Sequence, residues 1–350
     1  MRGAGVHAAL EAVAINAGAL ILTLAVFGAF VRMFGVDPFA VYYTIYLGAF
    51  ATRISIETTL TQAAPLMLTA LCTAVPARAG LLVIGGEGAL IAGGVATVLA
   101  GVHLGGLPPW LGVAVLSLAG MAAGGLWIGA AGALRQYRGV NETISTLLMN
   151  YIAVALLNHL VSGPIRDFGR VLKPASWNIP ERFMVGSMPG IDVHWGFAVG
   201  AAACLVLYIL LRRTTFGFAT DILGGNPRVA QMAGLPIHRM VLAASFLGGA
   251  CAGLAGTMEV IAVHGFASDS LAVGFGYAGI LIAFLARQNP VAVIGVAVLM
   301  GGVSASGGLL QRRFDLPDAT TAVLRGLLFV AVLASSTLYG RFKVFRVKDA

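Results

Sequence analysis

Residues 81–101 read Leu-Leu-Val-Ile-Gly-Gly-Glu-Gly-Ala-Leu-Ile-Ala-Gly-Gly-Val-Ala-Thr-Val-Leu-Ala-Gly, 21 positions with a single charge at Glu87. A run of about 20 apolar residues, coiled at about 1.5 Å per residue, covers a hydrocarbon core of about 30 Å. Such runs recur along all 350 residues, of which 59% are hydrophobic and 10% charged. An ordinary soluble domain carries about a quarter charged residues, and a water-facing surface cannot be built from so few. Nearly the whole chain is therefore expected to lie in a bilayer.

The same window yields ten spans: Ala12 to Val31, Thr58 to Ala77, Leu81 to Gly101, Leu107 to Leu134, Thr143 to Val161, Trp195 to Leu211, Met240 to Val263, Ser270 to Ala286, Pro290 to Gln311 and Ala319 to Tyr339. Ser270 to Ala286 is short and interrupted by Gly274, Gly276 and Gly279. It reads as an ordinary tilted helix, with a discontinuous segment lining a cavity as the alternative. Small residues at Gly120, Gly124 and Gly125 are spaced for close helix contact. The first span follows Arg2, is about 20 residues long and lacks a small-residue cleavage site, so it reads as a retained helix. Cys72, Cys204 and Cys251 fall in apolar spans without ligand spacing and read as small buried hydrophobes.

The net charge of +8 is scattered over interhelical turns and the tail, which argues against a nucleic-acid surface and for membrane orientation. With the N-terminus inside, the inner segments hold Arg2, Arg78, Arg135, Arg138, Arg212, Arg213, Arg228, Arg239, Arg287, Arg341, Lys343, Arg346 and Lys348. Arg312 and Arg313, beside Asp315 and Asp318, run against that pattern.

Leu111-Gly-Val-Ala-Val-Leu116 returns as Ile294-Gly-Val-Ala-Val-Leu299, each just after a proline and each ahead of a glycine-rich helix and a basic turn. The expected architecture is a single all-α membrane domain over 1–350. Its first half is 1–192, with an outer loop at 163–192, and its second half is 193–350. If each half is a five-helix repeat, the second lies inverted. The inner segment Arg212 to Arg239 contains Asn226-Pro-Arg-Val-Ala-Gln-Met-Ala-Gly234. Asn226 suits an N-cap, Pro227 a first helical position and Gly234 a stop. A short capped helix of small residues, Ala230 and Ala233 among them, suits a docking knob better than a plain connector.

Polar groups at membrane depth carry the rest of the signal. Glu142, Thr146 and Asn150 fall at i, i+4 and i+8, one stripe of a helix; they either line a translocation path, with Tyr151 beside them, or join helices by hydrogen bonds. Glu87 lies in the permissive run Gly85-Gly86-Glu87-Gly88, where a carboxylate favours a helix N-terminus. Capping is the reading preferred for it over contact with the solute. Arg325 needs an acidic or carbonyl partner, Glu259 being one. No phosphate-binding loop, His-Glu-x-x-His helix or Gly-x-Ser-x-Gly elbow occurs. No catalytic residue, metal or cofactor is therefore expected, and any ATP is hydrolysed by another chain.

The stretch from about Tyr46 to Leu338 resembles the permease subunits of bacterial ABC importers for nucleosides and simple sugars. The marks are Ala64-Pro-Leu-Met-Leu68, Arg78-Ala-Gly80, Ile84-Gly-Gly-Glu-Gly88, Asn141-Glu-Thr-Ile-Ser-Thr-Leu-Leu-Met-Asn-Tyr-Ile152, Gly225-Asn-Pro227 with Ala230 and Gly234, Gly249-Ala-Cys-Ala-Gly-Leu-Ala-Gly256 and Asn289-Pro290. The resemblance implies a multi-pass protein of the bacterial inner membrane. It also implies two cytoplasmic ATP-binding subunits, a second permease, identical or sister, and an extracytoplasmic binding protein. By the same resemblance Asn226, Pro227, Ala230, Ala233 and Gly234 belong to the coupling helix that seats in the ATPase. Thr146 to Ile152 is closer to the nucleoside branch, which favours a nucleoside or nucleobase over a pentose. The family commonly has Phe-Asn where this chain has Leu82-Val83, Gln where it has Ala89, and Arg where it has Asp221. Apart from a simple-sugar importer, the rival is an ion-coupled secondary transporter, which would also show inverted halves and buried carboxylates.

Overall fold

Prolines open several helices of this chain, although Pro65 and Pro76 lie inside one. The computed structural model describes residues 2–170, 173–317 and 319–336. In chain order the described helices are α1 (Arg2–Arg32), α2 (Pro38–Tyr46), α3 (Arg53–Arg78), α4 (Gly86–His103), α5 (Pro109–Arg138), α6 (Glu142–Ser162), α7 (Gly196–Arg213), α8 (Thr215–Gly225), α9 (Pro227–Met232), α10 (Ile237–Met258), α11 (Phe275–Leu285), α12 (Pro290–Ala305), α13 (Gly307–Phe314) and α14 (Ala319–Ser336). Pro38, Pro109 and Pro227 stand at helix starts, where a missing N–H loses no bond. Asp37 and Asn141 cap α2 and α6 with their side-chain oxygens.

Among the described residues, seven helical runs are long and apolar enough to cross a bilayer and four shorter apolar runs accompany them. The chain is thus an all-α membrane protein. Asp318, Thr337 to Tyr339 and the basic tail of Arg341, Lys343, Arg346 and Lys348 lie outside the described residues.

Three expectations change. Pro38–Ala51 is an apolar helical run that the span count passed over. The span from Leu81 starts with extended chain, because helix α4 begins only at Gly86. Ser270 to Ala286 is not one tilted helix: a 3₁₀ turn at Asp269–Leu271 and a left-handed Gly274 precede α11, whose 11 residues reach only about 16 Å.

Contacts gather the chain into two units. In the one made of residues 1–59 and 302–350, Phe27 and Val31 of α1 pack with Val41 of α2, Leu310 of α13, Leu324 of α14 and, between those two helices, Leu316. Arg325 donates to Ser304 Oγ at 3.3 Å and to Thr321 O at 3.4 Å. Glu259 lies beside His264, its Oε2 at 3.6 Å from Nε2.

The unit of residues 60–301 is centred on α4, α5 and α10, which approach through glycine. A Cβ at Gly93 would overlap Gly253, one at Gly124 would overlap Gly249 and Gly253, and one at Gly256 would overlap the Leu90 carbonyl. Without a hydrophobic force between helices in lipid, such close backbone approach is what holds them. Gly125 receives the Phe246 ring, and Thr97 and Thr257 share a hydroxyl hydrogen bond of 2.8 Å. The segment after α6 is laid down on residues 259–271. Ser176 N donates to Ala267 O, Ile179 N to Gly265 O and Val185 N to Ile261 O, while Phe183 is buried against Gly112. Cys72, Cys204 and Cys251 are buried and free.

Candidate functional site

The extended residues between α3 and α4 expose backbone groups that no helix satisfies, and the stripe on α6 satisfies them. Glu142 Oε1 accepts from Leu82 N at 3.1 Å, Thr146 Oγ1 from Ile84 N at 3.1 Å and Asn150 Oδ1 from Gly88 N at 2.8 Å. Asn150 Nδ2 also donates to Ile84 O at 3.0 Å, and Thr143 Oγ1 to Leu82 O at 2.9 Å. The spacing explains the match. Four helical residues rise about 6 Å, and two extended residues rise about 6.6 Å. Glu142 and Thr146 can therefore serve Leu82 and Ile84 much as a neighbouring strand would, while Asn150 reaches on to Gly88 in the first turn of α4. From α3, Thr73 Oγ1 donates to Val83 O at 3.2 Å on the other side. The second oxygen of Glu142 pairs with Arg135 at the end of α5.

Glu87 does cap a helix, though not its own. Its two carboxylate oxygens accept from Gly274 N at 2.7 Å and Gly276 N at 2.6 Å, the first free N–H groups of α11. Two helix N-termini, each a partial positive charge, thus meet across one carboxylate. They come together closely, because a Cβ at Gly276 would overlap the backbone of Gly86 and Glu87. Thr69 of α3 donates to Phe275 O at 3.0 Å and fixes the same turn.

Of the expected path residues, Glu87, Glu142, Thr146 and Asn150 converge on this break and are buried, while Tyr151 stands 65% exposed beside them. The stripe's polar atoms are thus used within the chain. Three participants escaped the sequence reading: Arg135, Gly276 and Tyr277, whose hydroxyl accepts from Asn150 Nδ2 at 3.4 Å. The run Gly274-Phe-Gly-Tyr277 carried the signal for the last two, as glycines opening an apolar helix mark a close approach.

The segment from Arg212 to Arg239 contains two short helices rather than one. Thr214 caps α8 through Gly217 N, and Asn226 caps α9 through Arg228 N at 2.9 Å and Val229 N at 3.4 Å. At the far end Leu235 N bonds Ala230 O and Gly234 N bonds Gln231 O, with Gly234 at φ +72°. That is a Schellman motif closed by its glycine. Ala230 is fully buried, in a cluster with Leu223, Met240 and Val241. It cannot present itself to a partner. The outward positions include Asn226, Pro227, Val229, Ala233, Gly234 and Met232, the last 81% exposed. Asp221, the departure noted on α8, holds Arg78 at 2.9 and 3.1 Å.

Residues 55–333 match the model of a family described as branched-chain amino acid transport system / permease component. The chain belongs to that family. As a permease it is a multi-pass protein of the plasma membrane and a transport subunit, not an enzyme, which sets aside the ion-coupled carrier. It works with ATP-binding subunits and a substrate-binding protein. The permease is 29% identical to the glucose ABC transporter permease protein TsgB13 of Haloferax volcanii, over 93% of this chain and 88% of the relative. It is 28% identical to the guanosine ABC transporter permease protein NupP of Bacillus subtilis, over 94% and 95%. With the nucleoside ABC transporter permease protein NupB of Lactococcus lactis it shares 24% identity, over 85% and 84%.

Proposed function

We propose that this permease forms the translocation path for a nucleoside or nucleobase, moved inward by a complex of two permeases, two ATP-binding subunits and an extracytoplasmic binding protein. The reading rests first on one observation: a buried polar crossing of two broken helices inside an otherwise apolar bundle. Backbone that leaves the helix at membrane depth is tolerated where protein or an aqueous cavity satisfies it, and transporters place solute sites at such breaks. Glu142, Thr146 and Asn150 serve the path by holding the wall that Glu87 pins to α11; Tyr151 meets the solute directly.

Relatives of both solute classes support the choice of candidates, guanosine and nucleoside permeases on one side and a glucose permease on the other. The Thr146 to Ile152 stretch, which resembles the nucleoside branch of these permeases, favours the nucleoside. A simple sugar is the second reading, favoured by the glucose relative. The whole chain acts as one permease domain, with 212–239 cytoplasmic and the α8–α9 unit seated in the ATPase through Val229, Met232 and Ala233. The cognate binding protein decides the solute. Purified and titrated with uridine, guanosine, ribose and glucose, it is expected to take a nucleoside; binding of glucose alone would assign the permease to sugars.

A further inference from the structure

The stretch that leads into α11 is like the one that leads into α4 in sequence but not in its bonds. Leu81-Leu-Val leads to Gly86 and Leu271-Ala-Val to Gly276 at the same spacing, and both leucines are buried. Before α4, backbone groups of Leu82, Val83 and Ile84 are taken up by side chains of α6 and α3, and Val83 is buried as well. Before α11, Gly274 N is held by Glu87, but Val273 stands 58% exposed. Among the described residues neither its N–H nor its carbonyl has a hydrogen-bond partner. The stretch is also deep. Thr69, which holds Phe275 O at 3.0 Å, comes nine residues before the end of α3 at Arg78, about 14 Å along the axis. That is near the middle of a hydrocarbon core of about 30 Å. Lipid offers no hydrogen bond, so open backbone at this depth faces either protein that satisfies it or water. An apolar helix of a second permease would not serve, because its own N–H and C=O groups are bonded within it. Water would.

We infer that Ala272, Val273 and Gly274 line the water-filled path of the permease, and that the unpaired N–H and C=O of Val273 are offered to the passing solute. The inference rests on the proposed path at the broken helices, not on the choice of nucleoside over sugar. Both solutes carry hydroxyl groups that take the place of water on these two atoms. Such an exchange gains little net free energy, so the solute is passed on and not held. The valine methyl groups beside them suit the less polar face of a base or a sugar ring. The two breaks then divide the work: the one before α4 is bonded shut and keeps the wall in shape, and the one before α11 is left open to what moves along it.

The test uses the complete importer in proteoliposomes and the charged reagent sulfonatoethyl methanethiosulfonate, which attacks a thiol only where water lets it ionise. Wild type is the blank, since Cys72, Cys204 and Cys251 are buried. Val206→Cys on α7, where the native side chain is 63% exposed, is the comparator for a thiol on a regular membrane helix. Val273→Cys should be labelled about ten-fold faster than Val206→Cys, either free of nucleotide or trapped with vanadate, because its thiolate forms in water. Labelling should block uptake, and uridine should slow the labelling. Ala272→Cys, made in parallel, should behave alike, so that poor assembly of one variant leaves the other to decide. Labelling no faster than at Val206→Cys in either state would overturn the inference, as would labelling that leaves uptake unchanged. So would a disulfide between two Val273→Cys copies without any reaction with the reagent, which would place the stretch between paired permeases. Protection by glucose but not by uridine would keep the path and overturn the choice of nucleoside.

Discussion

The break before α4 and the α8–α9 segment are both short departures from membrane helix, and they are stabilised in opposite ways. Around the break, backbone groups of residues 82–88 are satisfied by side chains about 60 positions away on α6, and the start of α11 by a carboxylate nearly 190 away. In α8–α9 the caps reach two to five residues along the chain. A locally capped segment keeps its own shape, and this one is anchored to α3 through Asp221 and to α10 through Ala230. A cross-braced one transmits strain to every helix it ties. The first suits a surface that a partner grips, the second a wall that must hold its shape while a solute passes.

The sharpest way to break this contrast is at the crossing. Gly276→Ala inserts a methyl group into the backbone of Glu87, where nothing flexible can yield. Folded permease recovered by size exclusion in detergent should fall more than about ten-fold, in line with the largest overpacking losses. Glu87→Ala should come next, since the buried Gly276 N–H loses its acceptor at about 1–3 kcal/mol and the part-buried Gly274 N–H loses its own. Glu87→Gln keeps one acceptor oxygen and should recover part of that loss in a thermal melt. A Glu87→Ala protein as stable as wild type would show that α11 needs no anchor there.

Along the stripe, Asn150→Leu should destabilise more than Thr146→Val, because Asn150 serves Gly88, Ile84 and Tyr277 whereas Thr146 accepts from Ile84 N alone across the gap. Each lost bond should cost about 1 kcal/mol. Uptake per assembled complex should fall along with stability if the wall shapes the path. Abundance loss with turnover unchanged would leave the stripe as helix glue only.

How far the sequence could be read follows the same division. Asn226, Pro227 and Gly234 were legible because cap, first turn and stop are neighbours in sequence, and each residue type has its own backbone reason to be there. The stripe was legible as a stripe, since Glu142, Thr146 and Asn150 repeat every four residues. Its partners were not, because an extended segment at 82–85 looks like four more apolar residues of a span. Glu87 showed a carboxylate at a helix start, but capping at long range has no sequence signature, so α4 stood in for α11. Ala230 was misplaced for a similar reason. Small size alone does not tell whether a residue faces a partner or its own core, and only the position of Leu223 and Met240 decides it.

On the α8–α9 side, Met232→Asp alters a side chain 81% exposed. The fold should be unaffected within about 0.5 kcal/mol, while solute-stimulated ATP hydrolysis by the assembled importer should drop several-fold. Ala230→Arg buries a charge and should lower the yield of folded protein instead. Equal ATP hydrolysis in Met232→Asp and wild type would remove this surface from coupling.

The smallest effect is expected at Asp221. Its carboxylate holds Arg78 through both oxygens, tying the end of α3 to α8, and the Gly224 backbone lies against the Arg78 carbonyl. Asp221 is half exposed while Arg78 is largely covered. Water and salt therefore screen one end of the pair, and an exposed ion pair contributes about 0–1 kcal/mol. Without its partner the guanidinium still sits at the C-terminal end of α3, where the helix dipole favours positive charge. Asp221→Asn should accordingly shift the thermal midpoint by only a few degrees, and less in high salt. Asp221→Arg restores the residue type usual in the family but places two guanidinium groups together, so the shift should be larger and should shrink as salt is raised. If Asp221→Arg lowers ATP coupling while Asp221→Asn does not, α8 touches the ATPase at this point. Equal coupling in both variants would confine the contact to α9.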